Sequence, residues 1–198
     1  MLTISPKRFL NYFPLYLGIE LILGLSIINK LSGVYGILAL FTGHPLEFLQ
    51  WVFYLFSISC LYYYGLGLWT IMKPKVRHYA AILVIYTLDS FISVFFIFWF
   101  ALQWIYNEDV KFVQSPGQDY SKSASQFYEY SWITLVTLVV IVSRFYFNWI
   151  LVGFYKKLVK FNKDMREDDV ELDLKSQWRI SQWLYKFEMG CVDMVRRV

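Results

Sequence analysis

The sequence predicts an all-α integral membrane protein: four transmembrane helices, both termini cytosolic, and a candidate re-entrant segment between helices one and two. Three observations carry this reading. The chain is 58% apolar, with a mean hydropathy of +0.43, where an ordinary soluble domain is about 45–50% apolar. Four apolar runs reach the roughly 20 residues that a bilayer-crossing helix needs. The charges between the runs separate by sign, as they do in proteins oriented by their loops. The short alternating segments of a β-barrel are absent from the sequence. Backbone groups in lipid must be satisfied within the segment, so helices are the remaining way across.

Helix one is expected over Phe9–Ile28, after Lys7 and Arg8. It is longer than the roughly 7–15 residues of a signal-peptide core and has no small-residue cleavage site, so it reads as a signal-anchor. Pro14 falls in its first turns, where proline is tolerated. Helix two is expected over Phe48–Met72, ended by Lys73-Pro74-Lys75, helix three over Tyr79–Ile105, and helix four over Trp132–Tyr155. Trp51, Trp69, Trp104, Tyr106 and Trp132 lie near helix ends, as interfacial aromatics do. Residues 1–155 thus form a four-helix transmembrane domain, and residues 156–198 a cytosolic tail. In the tail, Leu174, Trp178, Ser181 and Tyr185 share one helical stripe, and Ile180, Trp183, Leu184 and Phe187 a broader apolar side. An amphipathic helix of this kind lies on the membrane surface or packs on a partner.

The link from Ser32 to Pro45 holds an apolar piece, Val34–Phe41, too short to span. Gly33, Gly36 and Gly43 permit tight turns. It reads as re-entrant or interfacial, or else as a lengthening of helix one or two. Orientation follows from Lys and Arg. Lys7, Arg8, Lys73, Lys75, Arg77, Lys156, Lys157, Lys160 and Lys163 lie at one set of helix ends. The loop Tyr106–Tyr130 at the other end carries Glu108, Asp109, Asp119 and Glu129 against Lys111 and Lys122. The basic side is cytosolic and the acidic loop lumenal or outside.

Three of the apolar runs contain an ionisable residue: Glu20, Asp89 and Arg144. From the expected boundaries each lies about 15–16 Å from the cytosolic end of its helix. A charge there costs roughly 2.5–3.5 kcal/mol on insertion scales unless it is paired, so Arg144 is expected to pair with Asp89, Glu20 or both. Asn148, one turn away, is a further polar candidate. The set is either a structural fastener or a proton or ion relay. The fastener is the simpler reading, because a relay needs more polar residues along a path.

Other chemistry is poorly supported. The two histidines, His44 and His78, fall in links on opposite sides of the membrane and cannot form one acid–base pair. A GxSxG elbow is absent from the sequence, as is a Cys/His metal cluster, and Cys60 and Cys191 are too few and too far apart for a disulfide framework. The net charge of +4 is not gathered into a nucleic-acid stripe. No catalytic set, cofactor, metal or nucleic acid is expected.

Leu15-Tyr16-Leu17, the block Gly36–Leu46 (with Phe41, Gly43, His44 and Pro45), Tyr86-Thr87-Leu88-Asp89 and Arg144-Phe145-Tyr146-Phe147-Asn148 resemble one family in order along the chain. It is the regulatory subunit of fungal inositol phosphorylceramide synthase. The resemblance implies a multi-pass Golgi membrane protein that binds the catalytic subunit. That partner transfers phosphoinositol from phosphatidylinositol to ceramide and releases diacylglycerol. The family's chain supports activity and Golgi placement without carrying the catalytic histidines. On this reading Gly36, Phe41, Gly43, His44 and Pro45 form a lumenal segment supporting the partner. Membrane lipids surround the helices, and the tail is the natural place for coat-protein contacts. The loop Tyr106–Tyr130 lacks a dibasic pair, so the resemblance does not extend to a dibasic processing site. The alternative from the residues alone is a small four-helix transporter or channel with Glu20, Asp89 and Arg144 along its path.

Overall fold

The computed structural model describes residue 6 and residues 8–34, 48–108, 126–161 and 179–197. The candidate re-entrant residues Gly36, Phe41, Gly43, His44 and Pro45 lie outside these. The elements in order are α1 (Leu15–Val34), α2 (Phe48–Trp69), α3 (Val76–Glu108), α4 (Gln126–Phe161) and α5 (Arg179–Arg197). Among the described residues, three stretches are long and apolar enough to cross a membrane: Gln50–Trp69, Val76–Gln103 and Ser131–Phe161. Four were expected; α1 is not among the three. Its 20 residues would reach about 30 Å, but they include Glu20, Asn29 and Lys30.

Helix one starts later than expected. Phe9 and Phe13 close a turn with paired backbone bonds, Phe9 N–H to Phe13 O at 2.8 Å and Phe13 N–H to Phe9 O at 2.9 Å. Leu10 and Asn11 turn the chain with φ of 48° and 64°. Asparagine tolerates this left-handed conformation, whereas leucine does so at a cost of about 1–2 kcal/mol. Pro14 then stands just before α1, and its carbonyl accepts the first helical bond, from Gly18 N–H. Its missing N–H costs nothing at that position. At the other ends, α3 and α4 run past the expected spans, through Arg77 and His78 and through Lys156, Lys157 and Lys160. The 36 residues of α4 extend about 54 Å, more than the roughly 30 Å of a hydrocarbon core. The polar ends therefore continue as helix beyond it.

The chain divides into two compact units, Met1–Thr87 with Phe147–Val198, and Leu88–Tyr146. The first contains the packed core. Ile19, Ile22 and Leu23 of α1, Cys60 and Tyr64 of α2, Ala80, Ala81 and Ile82 of α3, Ile150 and Leu151 of α4, and Val192 of α5 are buried there. Helices α1 and α2 pack together. The short link Thr70–Lys75 forces α2 and α3 to run antiparallel, with Gly67 near Tyr79 and Tyr64 near Tyr86. Gly67 is a close approach between these helices. A methyl group there would stand 2.6 Å from Ile82 Cδ1 and 2.9 Å from Leu23 Cδ1. The Gly67 carbonyl, left without a helical partner near the end of α2, accepts the Tyr79 hydroxyl at 2.9 Å.

This packing gives a paired prediction. Gly67→Ala should destabilise the protein by about 1–3 kcal/mol through overpacking, less the gain of roughly 1 kcal/mol in helix propensity. Gly65→Ala, whose new methyl meets nothing within 4 Å, should be neutral or stabilising. Thermal unfolding in detergent orders the two; equal melting temperatures would contradict the close approach.

The second unit is built differently. The α3 residues Phe91, Phe95, Phe98 and Leu102 form one exposed stripe at helical spacing. Phe95 stacks on Trp99, and Phe96 on Phe100. On the α4 side Leu135, Leu138, Val139, Val142 and Phe145 are exposed. Apolar surface of this extent needs lipid or neighbouring helices to cover it.

Candidate functional site

Asp89 and Arg144 face each other inside the second unit. Arg144 Nη1 donates to Asp89 Oδ2 at 3.4 Å. The Asp89 side chain is 4% exposed and that of Arg144 18%. A buried carboxylate of this kind survives only with a partner or further hydrogen bonds, and Asp89 makes other interactions besides this one. Ser90 beside it is also buried.

Asn148 belongs to the first unit, where it meets Thr87. Thr87 Oγ1 lies 3.1 Å from Asn148 Oδ1 and 2.7 Å from Leu83 O. The single hydroxyl proton is shared between these two acceptors. Tyr79 and Phe154 meet as tilted rings with centroids 5.0 Å apart, so α3 and α4 run antiparallel in this unit.

Glu20 does not sit where the expected boundaries put it. Because Phe9–Pro14 is a turn rather than helix, Glu20 falls in the second turn of α1, about 7.5 Å from its start. It is half-buried and within electrostatic reach of Tyr79, itself in the first turn of α3. It is therefore a residue near a helix end, not one at mid-span.

One charged cluster was not read from the sequence. Glu188 of α5 is buried against the start of α3. Its Oε2 is 3.0 Å from Arg77 Nε, and its Oε1 is 3.7 Å from His78 Nε2. The Arg77 Nε–H is not aimed at an acceptor, so the contact is ionic. The Arg77 guanidinium also lies 5.1 Å above the Tyr185 ring, and Phe187 meets Tyr63 of α2. Burial holds the Glu188 carboxyl above the usual carboxylate range, against the opposing pull of Arg77 and Lys75. Burial likewise pushes up the thiol of Cys191, one turn further on. The signal was present in the sequence: Glu188 is a lone acid between Leu184, Cys191 and Val192 on one helical side. From the sequence Arg77 reads as a loop charge and His78 as a histidine of the same link. Cys60 and Cys191 are both buried and are not in a disulfide.

A cleft of about 370 Å³ is lined by Arg8, Pro14, Pro74, Phe154 and Lys157, among others. It brings the start of α1, the α2–α3 link and the end of α4 to one end of the first unit. Its lining offers cations and apolar walls but no acid–base pair. Among the described residues, no three His, Cys, Asp or Glu side chains gather as a metal site requires. Among the described residues, the arrangement can lock helices and meet other molecules.

The chain is 41% identical to the inositol phosphorylceramide synthase regulatory subunit KEI1 of Saccharomyces cerevisiae, over 98% of this chain and 96% of that one. Residues 8–116 match the family model described as inositolphosphorylceramide synthase subunit Kei1. The chain belongs to the Kei1 family. The regulatory subunit kei1 of Schizosaccharomyces pombe is 31% identical, over 77% of this chain and 68% of that one. No solved structure matches. The Kei1 family model covers Glu20, Arg77 and Asp89 and stops before Arg144, Asn148 and α5. The near full-length match to the budding-yeast protein extends the relation through α4 and α5. Both relatives are named as regulatory subunits, and the role of this Kei1-family chain is accordingly regulatory and non-catalytic.

Proposed function

We propose that this chain binds the catalytic subunit of inositol phosphorylceramide synthase in the Golgi membrane and supports its transfer of phosphoinositol from phosphatidylinositol to ceramide. The observation that carries the reading is the 41% identity to a regulatory subunit across nearly the whole of both chains. In this reading α1 is a fourth span, both termini are cytosolic, and the segment Gly36–Pro45 is lumenal. The tail is open to coat-protein contacts.

Two structural features support it. The exposed aromatic stripe Phe91, Phe95, Phe98 and Leu102 and the exposed aliphatic side of α4 offer a partner's helices a large apolar surface. The Arg144–Asp89 pair ties α3 to α4 beneath that surface and acts as a fastener. The transporter reading needs free polar groups along a path, yet Arg144 is turned to Asp89 and Asn148 to Thr87.

The role of the lumenal segment is tested by deleting Val34–Phe41 and purifying the complex. The expected result is co-purification of the catalytic subunit with most of its inositol phosphorylceramide formation lost. Full activity of the deleted complex would sink the proposal for this segment.

A further inference from the structure

Helix α5 presents three faces. Glu188, Cys191 and Val192 are buried, with Glu188 held by Arg77. Beside them Ile180, Trp183, Phe187 and Met194 share a stripe about 60° wide. Three of these are largely exposed, Ile180 at 64%, Trp183 at 67% and Met194 at 59%. Trp183 and Phe187 stack with rings 6.2 Å apart. On the far edge of the stripe fall Arg179, Lys186 and Arg197, all exposed. Asp193 is the acid on that side, and Arg196 lies further round.

The height of the helix is set by its contacts. Glu188 meets Arg77 and His78, at the first residues of the α3 span. Phe187 meets Tyr63, six residues inside the α2 end at Trp69, or about 9 Å by helical rise. A surface helix buries its apolar face roughly 5–10 Å into the boundary between headgroups and acyl chains. The exposed stripe of α5 is therefore at that level, and its basic edge meets the phosphates. Tryptophan is enriched at this boundary.

We propose that α5 is an interfacial anchor seated in an anionic phospholipid leaflet. Ile180, Trp183, Phe187 and Met194 enter the acyl boundary, and Arg179, Lys186 and Arg197 pair with lipid phosphates and acidic headgroups. The Glu188–Arg77 contact fixes the helix to the bundle at the start of α3. The proposal rests on the membrane-spanning reading of α2 and α3.

The test uses the full chain in nanodiscs of phosphatidylcholine with or without phosphatidylserine. A nitroxide is attached at Ile180→Cys or Met194→Cys, and signal from the buried Cys60 and Cys191 is subtracted using the unsubstituted chain. In anionic discs these positions should collide with oxygen severalfold more than with a water-soluble nickel chelate. Asp193→Cys should show the reverse. Lys186→Gln and Arg197→Gln should each lower the lipid-seated population about fivefold in anionic discs and change little in neutral ones. Equal nickel access at Ile180→Cys and Asp193→Cys overturns the proposal. So does shielding from both reagents in the purified complex, which assigns the stripe to a protein, and so does indifference to leaflet charge. Phe91→Cys, within the α3 span, reports the spanning reading separately: nickel access there sinks the spans rather than the anchor.

Discussion

Arg144→Leu is expected to destabilise the helical domain by about 3 kcal/mol, a shift of roughly a hundredfold in the folding equilibrium. The cost arises because Asp89, with a side chain only 4% exposed, would lose its cation. Most of the effect is the desolvation of a carboxylate no longer offset by that cation, rather than a lost attraction. The double substitution Arg144→Leu with Asp89→Leu should therefore recover much of the stability that the single change loses. Yield of the complex and thermal unfolding in detergent read both. A single variant as stable as the parent would remove the fastener, and a double variant worse than the single would show that the pair does not act as a unit.

The second large effect is at the other charged contact. Arg77→Leu should release α5 by about 1–2 kcal/mol, below the value for a fully buried pair because Arg77 is 30% exposed. The readout is the thiol of Cys191, which is buried in the docked helix. Its labelling by a maleimide, taken relative to the unfolded chain at the same pH, should rise roughly tenfold. The pH dependence has a definite sign. Glu188 has a folded value raised by burial, so its protonated form suits the docked state. The Glu188 contribution to docking is then largest below the ordinary carboxylate value and is lost as pH rises through the raised one. Arg77→Leu should steepen that loss by removing the main opposing charge, and Glu188→Gln should flatten it. A Cys191 labelling ratio that is flat with pH in Arg77→Leu would contradict the account.

The helical elements were legible in the sequence because runs such as Phe48–Met72 and Tyr79–Ile105 are apolar for longer than any soluble helix requires. Asp89 and Arg144 were legible because a charge inside such a run is costly and implies a partner. The start of α1 was not, because hydropathy cannot distinguish an apolar turn from an apolar helix. Phe9–Pro14 is apolar except for Asn11 and yet closed by backbone bonds around two left-handed residues. That one turn moved Glu20 from the middle of a span to the second turn of a helix. The Gly67–Tyr79 bond and the Glu188–Arg77 contact were also hidden. Each joins residues whose meeting depends on how separate helices pack, and periodicity within one helix carries no trace of it. In α5 the apolar stripe was visible, but the buried side is the one bearing Glu188, and only the packed structure separates the two.

The central claim is that this chain supports a synthase without performing the chemistry. Its most direct test is inositol phosphorylceramide formation by three preparations purified in mild detergent: the catalytic subunit with this chain, the catalytic subunit alone, and this chain alone. The account predicts a co-purifying complex with full activity, a catalytic subunit much weakened by itself, and no turnover by this chain. Turnover by this chain alone, or a catalytic subunit equally active without it, would contradict the claim.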